Sequence, residues 1–476
     1  MINAPTNAAS AEVTPIDTQA RTPLLLLVGS GLVWLLVSGL FALITSIQLH
    51  APHFLANCEP LTHGRAQAIR ETSFVYGWCA NAGLAISLWV LGRLGGNLLR
   101  APNWTIVGTL FWNLGLTVGL VGIAIGDMTS IPLLQLPSYV QPLMVVAYGA
   151  IALSGVLAWS GRRNDGTFAS QWYAAAALFL LPWLFIAAQA VLIWMPVRGV
   201  AQAIAAGWFA QGLIAMWLAP LALAGAYYVV PKTAGRILPS YDFAPLAFWV
   251  LIFIGAWTGG RHLIGGPVPA WVATIAVVAT SLVLFHYLVV FLNLRIATAS
   301  TGEGAKFIRF GLLAYLVFGV LEFLMSFRGI ALETQFTLLA TAHEQLGLYG
   351  AFSMMFYGVI YYMVPRLTGQ PWASAGLVAG HRVFAMVGVL LLVVTLGVAG
   401  CAQGAGLLDP ANTYATILGS MNKWLLGTTV ANLLLLGANF LLFVNFAKTA
   451  CSACCSKSAR SENLFRQPST LEASAT

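Results

Sequence analysis

Apolar residues run along this chain in blocks of about twenty, each closed by a short polar stretch, from residue 23 to residue 447. A helix needs roughly 20 mostly apolar residues to cross a bilayer. The blocks that meet this length are 23–47, 72–93, 104–125, 139–160, 171–195, 204–230, 245–262, 269–294, 308–328, 342–364, 381–403 and 421–447. They predict an all-α, polytopic membrane bundle of about twelve transmembrane helices, with no soluble domain inserted between them. Polar segments remain at the ends. Residues 1–22 read as a tail without the basic start of a cleaved signal peptide. Residues 448–476 read as a disordered tail holding Cys451, Cys454 and Cys455, whose spacing has no second ligand pair to complete a metal site.

Composition agrees with the pattern. The chain of 476 residues is 59% hydrophobic and 8% charged, against roughly 25% charged in soluble domains. That balance excludes a soluble enzyme. The net charge of +8 is topological and does not point to nucleic acid, because Lys and Arg gather in cytoplasmic loops of membrane proteins. With the N-terminus inside, only Arg65, Arg70, Arg198, Arg261, Arg328 and Lys423 of the 22 basic residues fall on the outer face. Both termini are therefore expected in the cytoplasm.

Ionisable groups at membrane depth face the bundle interior and mark sites or relays. Here they are Glu322, His343, Glu344 and His286, with Arg70, Glu71, Arg261, His262 and Arg328 at the outer ends of their helices. His343 and His262 are expected near one surface, where two imidazoles could hold a metal or a heme iron. The alternative is that each histidine bonds a carbonyl or a nearby Glu. Glu322 is offered Arg328 or Arg261 as a partner, and His286 reads as a packed, satisfied histidine.

Several stretches resemble subunit I of the cbb3-type heme–copper oxidases. They are GRAQAIRETSFVYGWCANAGL (64–84), MWLAPLALAGAYYVVPK (216–232), FWVLIFIGAWTGGRHLIGG (248–266), LEF (321–323), AHEQLGLYG (342–350) and YYMVPRLTG (361–369). The resemblance implies the fold of that subunit, in a bacterial inner membrane. It also implies a ligand set: two histidines for a low-spin heme, one for a high-spin heme, three for copper, and a redox tyrosine.

Carried over position by position, most of that set is replaced. The low-spin heme ligands fall on Arg70 and Gln345, two copper ligands on Gln211 and Arg261, and the tyrosine on Gly255. His343 stays as a candidate heme axial ligand, His262 as a remnant copper ligand, and Glu322 as the family's helix 9 glutamate. Arginine has no lone pair to give a metal. The expectation is a divergent homologue unable to perform normal dioxygen reduction, holding at most one heme b and no copper. Two alternatives stand beside it. One is a respiratory enzyme with a single heme on His343, and the other is a proton- or ion-conducting bundle with Glu322 and Glu344 as relay. Expected partners are membrane lipid and other respiratory subunits such as a cytochrome c subunit, since the chain has no Cys-x-x-Cys-His motif of its own. Where replacement occurred, Arg261 is expected to pair with Glu322 or Glu344.

Overall fold

The computed structural model describes residues 13–163 and 166–466, with 454–466 as backbone alone. Twelve helices are long and apolar enough to span a membrane: α1 (Pro15–His50), α2 (His63–Gly95), α3 (Pro102–Ile125), α4 (Gln141–Ser160), α5 (Ala169–Trp194), α6 (Val200–Ala234), α7 (Tyr241–Leu263), α8 (Ala270–Ala299), α9 (Glu303–Met325), α10 (Leu338–Thr368), α11 (Ala375–Leu408) and α12 (Tyr414–Ala453). Each coincides with one expected block. No strand occurs among the described residues.

Burial sorts the helices into two classes. The apolar stretches of α2, α6 and α10 are 100%, 94% and 94% buried, whereas no other span exceeds 50%. These three, four apart in sequence, form the interior of the bundle. The remaining nine face outward with large apolar side chains such as Leu110, Val146, Phe253 and Leu433. Each interior helix also contains a π-helical stretch, Ser73–Cys79 in α2, Ile214–Leu218 in α6 and Leu346–Ser353 in α10. Wide turns of this kind concentrate at functional sites because they re-aim side chains. They begin just after Arg70, Gln211 and Gln345, the positions singled out in the sequence.

Two ends differ from the boundaries expected from hydropathy. Helix α1 starts at Pro15, capped by Thr14 with Asp17 returning the bond, so residues 15–22 of the expected tail are helical. Asp17 is fully buried. It accepts from Arg93 Nη1 at 2.8 Å, Trp89 Nε1 at 2.9 Å and the Thr14 backbone at 3.0 Å. At the other end the helix that begins at Tyr414 continues to Arg466, through much of the segment expected to be disordered. Residues 1–12 and 467–476 lie outside the described residues.

One close approach positions the site. A Cβ on Gly259 would lie 2.1 Å from the carbonyl oxygen of Gly207. Only glycine lets the backbones of α6 and α7 meet there. The contact brings Gln211 of α6 beside Thr258 and Arg261 of α7.

Candidate functional site

The polar centre of the bundle is the carboxylate of Glu322, which is fully buried on α9. Arg261 forms an ion pair with its Oε1. Gln211 Nε2 donates to the same oxygen at 2.9 Å and Thr258 Oγ1 at 3.1 Å. Tyr287, on α8, donates its hydroxyl to Oε2 at 2.9 Å. Four helices thus converge on one carboxylate. The Arg261 carbonyl in turn accepts from Gln335 Nε2 at 2.7 Å, tying the loop before α10 to the pair.

Of the two partners offered to Arg261, the structure selects Glu322. Arg328 lies instead near Thr274, at 3.4 Å. Gly255 leaves no volume for a larger side chain, since a Cβ there would stand 2.5 Å from the Cβ of Ala215 on α6. Its carbonyl accepts from Thr258 at 2.9 Å.

His343 and His262 border one cavity of about 420 Å3, together with Arg261, Met325, Gln335 and Gln403. The expectation that they share one surface is met. His343 is buried, and its ring stacks on Phe318 with centroids 4.3 Å apart and planes 11° apart. Its Nε2 lies 2.9 Å from the Phe318 carbonyl. A carbonyl can only accept, so Nε2 carries the proton and Nδ1 the lone pair. His262 is exposed. His286 is satisfied as read, with Nδ1 donating to the Ala247 carbonyl at 2.9 Å and Nε2 accepting from the Tyr315 hydroxyl at 2.9 Å.

Arg70 and Gln345 form a second locality between α1, α2, α10 and α12. Both border a pocket of about 20 Å3, and Arg70 also borders one of about 160 Å3. Arg70 Nη1 reaches Gln67 Oε1 at 3.3 Å. It stands in the field of Glu71 and Glu344. Glu71 is taken up by Gln67 and Gln135, at 2.6 and 2.7 Å. Glu344 belongs to this locality and not to the Glu322 centre, so the two candidate relay carboxylates are separate.

The family model described as "Cytochrome C and Quinol oxidase polypeptide I" matches residues 22–434. The chain belongs to the cytochrome c and quinol oxidase polypeptide I family. A cytochrome c oxidase subunit 1 homolog of Agrobacterium tumefaciens is 24% identical over 392 residues, covering 78% of this chain and 71% of that one. The cbb3-type cytochrome c oxidase subunit CcoN1 of Stutzerimonas stutzeri is 22% identical over 385 residues, covering 78% and 81%. Among solved structures, a heme–copper terminal oxidase dimer shares the fold with a TM-score of 0.69 at 16% identity, covering 91% of this chain and 83% of that one.

Membership in the polypeptide I family raises the question whether heme and copper fit the residues present. Copper does not fit at Gln211 and Arg261. An amide and a guanidinium stand there, both spent on Glu322, and neither offers an imidazole lone pair. Among the described residues no group of three or more His, Cys, Asp or Glu is placed to hold a metal. A bis-imidazole heme does not fit at Arg70 and Gln345 either. The pocket they share has room for a water but not for a macrocycle. His343 and His262 both carry an imidazole lone pair beside the large cavity, although Phe318 holds the His343 ring and its Nε2.

Tyr287 and Thr258 were not foreseen as site residues. Tyr287 follows His286 in VLFHYLVVF, where an apolar run gives no sign of which tyrosine turns toward a carboxylate. The polar side chains of TGGRH, residues 258–262, were the available signal for Thr258.

Proposed function

We propose that this protein is a divergent polypeptide I homologue of a bacterial respiratory membrane that does not carry out dioxygen reduction. It serves instead as an accessory, assembly or regulatory subunit beside other respiratory subunits, with both termini in the cytoplasm. The observation that carries this reading is the Glu322 cluster. At the positions that the resemblance assigns to copper ligands, Arg261 and Gln211 are bonded to a buried carboxylate. An ion pair and an amide hydrogen bond order the side chains at these positions. A cation added beside Arg261 would meet a permanent positive charge at low dielectric, where such repulsion is strong.

The four bonds to Glu322 also weigh against the proton-conducting reading, because an anchored ion pair has no mobile proton to pass on. A second reading keeps one observation in its favour. The 420 Å3 cavity beside His343 is the place where a single heme b would take its axial ligand from this chain. There His343 would hold the iron, and the heme would supply redox chemistry to the outer end of the bundle.

Oxygen uptake by the purified protein, with reduced cytochrome c as donor, tests the main reading. The expected result is no cyanide-sensitive uptake above the detergent blank. A turnover in the common enzymatic range, about 1–1000 per second, overturns it.

A further inference from the structure

A second built site lies at the opposite end of the bundle from His343, the end that the distribution of basic residues assigns to the cytoplasm. Trp89 of α2, Tyr228 of α6 and Tyr362 of α10 form a contiguous aromatic platform. Their ring centroids are 5.0 Å apart for Trp89 and Tyr228, 6.0 Å for Trp89 and Tyr362, and 6.5 Å for Tyr228 and Tyr362. Each ring carries a cation. Arg93 lies 5.7 Å from the Trp89 centroid, Lys232 4.9 Å from Tyr228, and Arg366 3.4 Å from Tyr362.

Only one of the three is neutralised. Arg93 pairs with Asp17, whereas Lys232 and Arg366 have no ion pair among the described residues. Arg366 spends Nη1 on the Tyr362 carbonyl at 2.7 Å, and Lys232 is exposed.

Beside this platform opens a cavity of about 370 Å3. Its walls are mostly apolar and include Leu94, Phe168, Tyr227, Leu238 and Tyr241, and Lys232 stands in the same lining. Among the described residues no carboxylate lines it. Asp242, next to Tyr241 in the chain, is exposed. An apolar chamber with Lys232 in its lining, and Arg366 on the adjoining aromatic platform, complements a molecule with a hydrocarbon tail and an anionic head. Basic pockets between membrane helices on the cytoplasmic side bind anionic headgroups on this principle.

We propose that this chamber binds an anionic phospholipid. Lys232 and Arg366 hold the phosphodiester, and one acyl chain enters between α2, α5, α6 and the loop before α7. Orientation alone would scatter Lys and Arg over this face. It would not place two unpaired cations on a shared aromatic platform beside an apolar chamber.

The full chain, purified in mild detergent, is exposed to vesicles of phosphatidylcholine doped with phosphatidylglycerol, and bound lipid is counted by native mass spectrometry. Phosphatidylglycerol is expected to be retained over phosphatidylcholine. In the double variant Lys232→Gln, Arg366→Gln its affinity should fall roughly 25-fold, about fivefold for each cation. Leu238→Trp, which fills the chamber without touching charge, should also lower retention. Arg328→Gln, at the other end, should not. Size-exclusion profile and melting temperature confirm that each variant is folded. Equal retention of both lipids by the folded wild type overturns the proposal. So does equal loss in Arg328→Gln and the double variant, which marks a general charge effect, and so does competition by inorganic phosphate as effective as the lipid.

Discussion

Replacing Arg261 with methionine will destabilise the protein by about 3 kcal/mol, the lower end of the 3–5 kcal/mol typical when one partner of a buried pair is removed. The end of the range is set by Glu322, which keeps three neutral donors in Gln211, Thr258 and Tyr287. Glu322→Gln should cost a similar amount, because it leaves the Arg261 guanidinium buried without a counter-charge. The double variant Arg261→Met, Glu322→Gln removes both charges and keeps an acceptor for Tyr287. It should cost about 3–4 kcal/mol, little more than either single variant, a coupling of about 2–3 kcal/mol between contacting sites. Unfolding in detergent, run as a double-mutant cycle, measures this. Additive single effects would contradict the assignment of a mutually compensating pair.

The second large effect is expected at the other end of the bundle. Asp17 is fully buried and holds Arg93, Trp89 and the cap residue Thr14. Asp17→Ala strands the buried Trp89 Nε1 and the half-buried Arg93 together. The cost should be about 3 kcal/mol, from one orphaned indole donor and one uncompensated cation. Asp17→Asn keeps acceptor oxygen for Trp89 but loses the charge, and should cost about half as much. Because the return bond of the capping box, from Thr14 N to the Asp17 carboxylate, is lost too, the first turn of α1 should gain fast amide exchange in Asp17→Ala while α2 stays protected. Exchange measured by mass spectrometry separates this local opening from a global loss.

These two clusters show where sequence reading succeeds and where it stops. The twelve spans are legible because the bilayer sets one length for all of them, and apolar blocks of that length are hard to misread. The edges are less legible. A hydropathy pattern discounts Asp17 and Arg21 as tail, since it cannot see that Arg93, 76 residues away, reaches back to Asp17. The same limit applies in the centre. Glu322 and Arg261 could be named as partners because both are charged and both lie at membrane depth. Tyr287 could not, because tyrosines in apolar runs carry no mark of their direction. Thr258 is 64 residues from its carboxylate, and that contact exists only through the close packing of α6 and α7 at Gly207 and Gly259. Gln211 was found by resemblance alone, and its bond to Glu322 gives that position a physical meaning in this chain.

The fold is that of the polypeptide I family, and the side chains at its centre have their own chemistry. The interior helices have π-helical stretches after positions 70, 211 and 345, and the side chains at those positions are cationic or amide. Such groups hydrogen-bond well and ligate iron or copper poorly. Fold and function are separable in this way, and function follows the site.

The most direct test of the central claim is the cofactor content of the purified protein. Pyridine hemochrome analysis, reduced-minus-oxidised spectra and elemental copper are measured on one sample of known protein concentration. The account predicts no low-spin bis-histidine signature, no stoichiometric copper and at most one heme per chain, that heme disappearing in His343→Ala. Two hemes per chain with bound copper would contradict it.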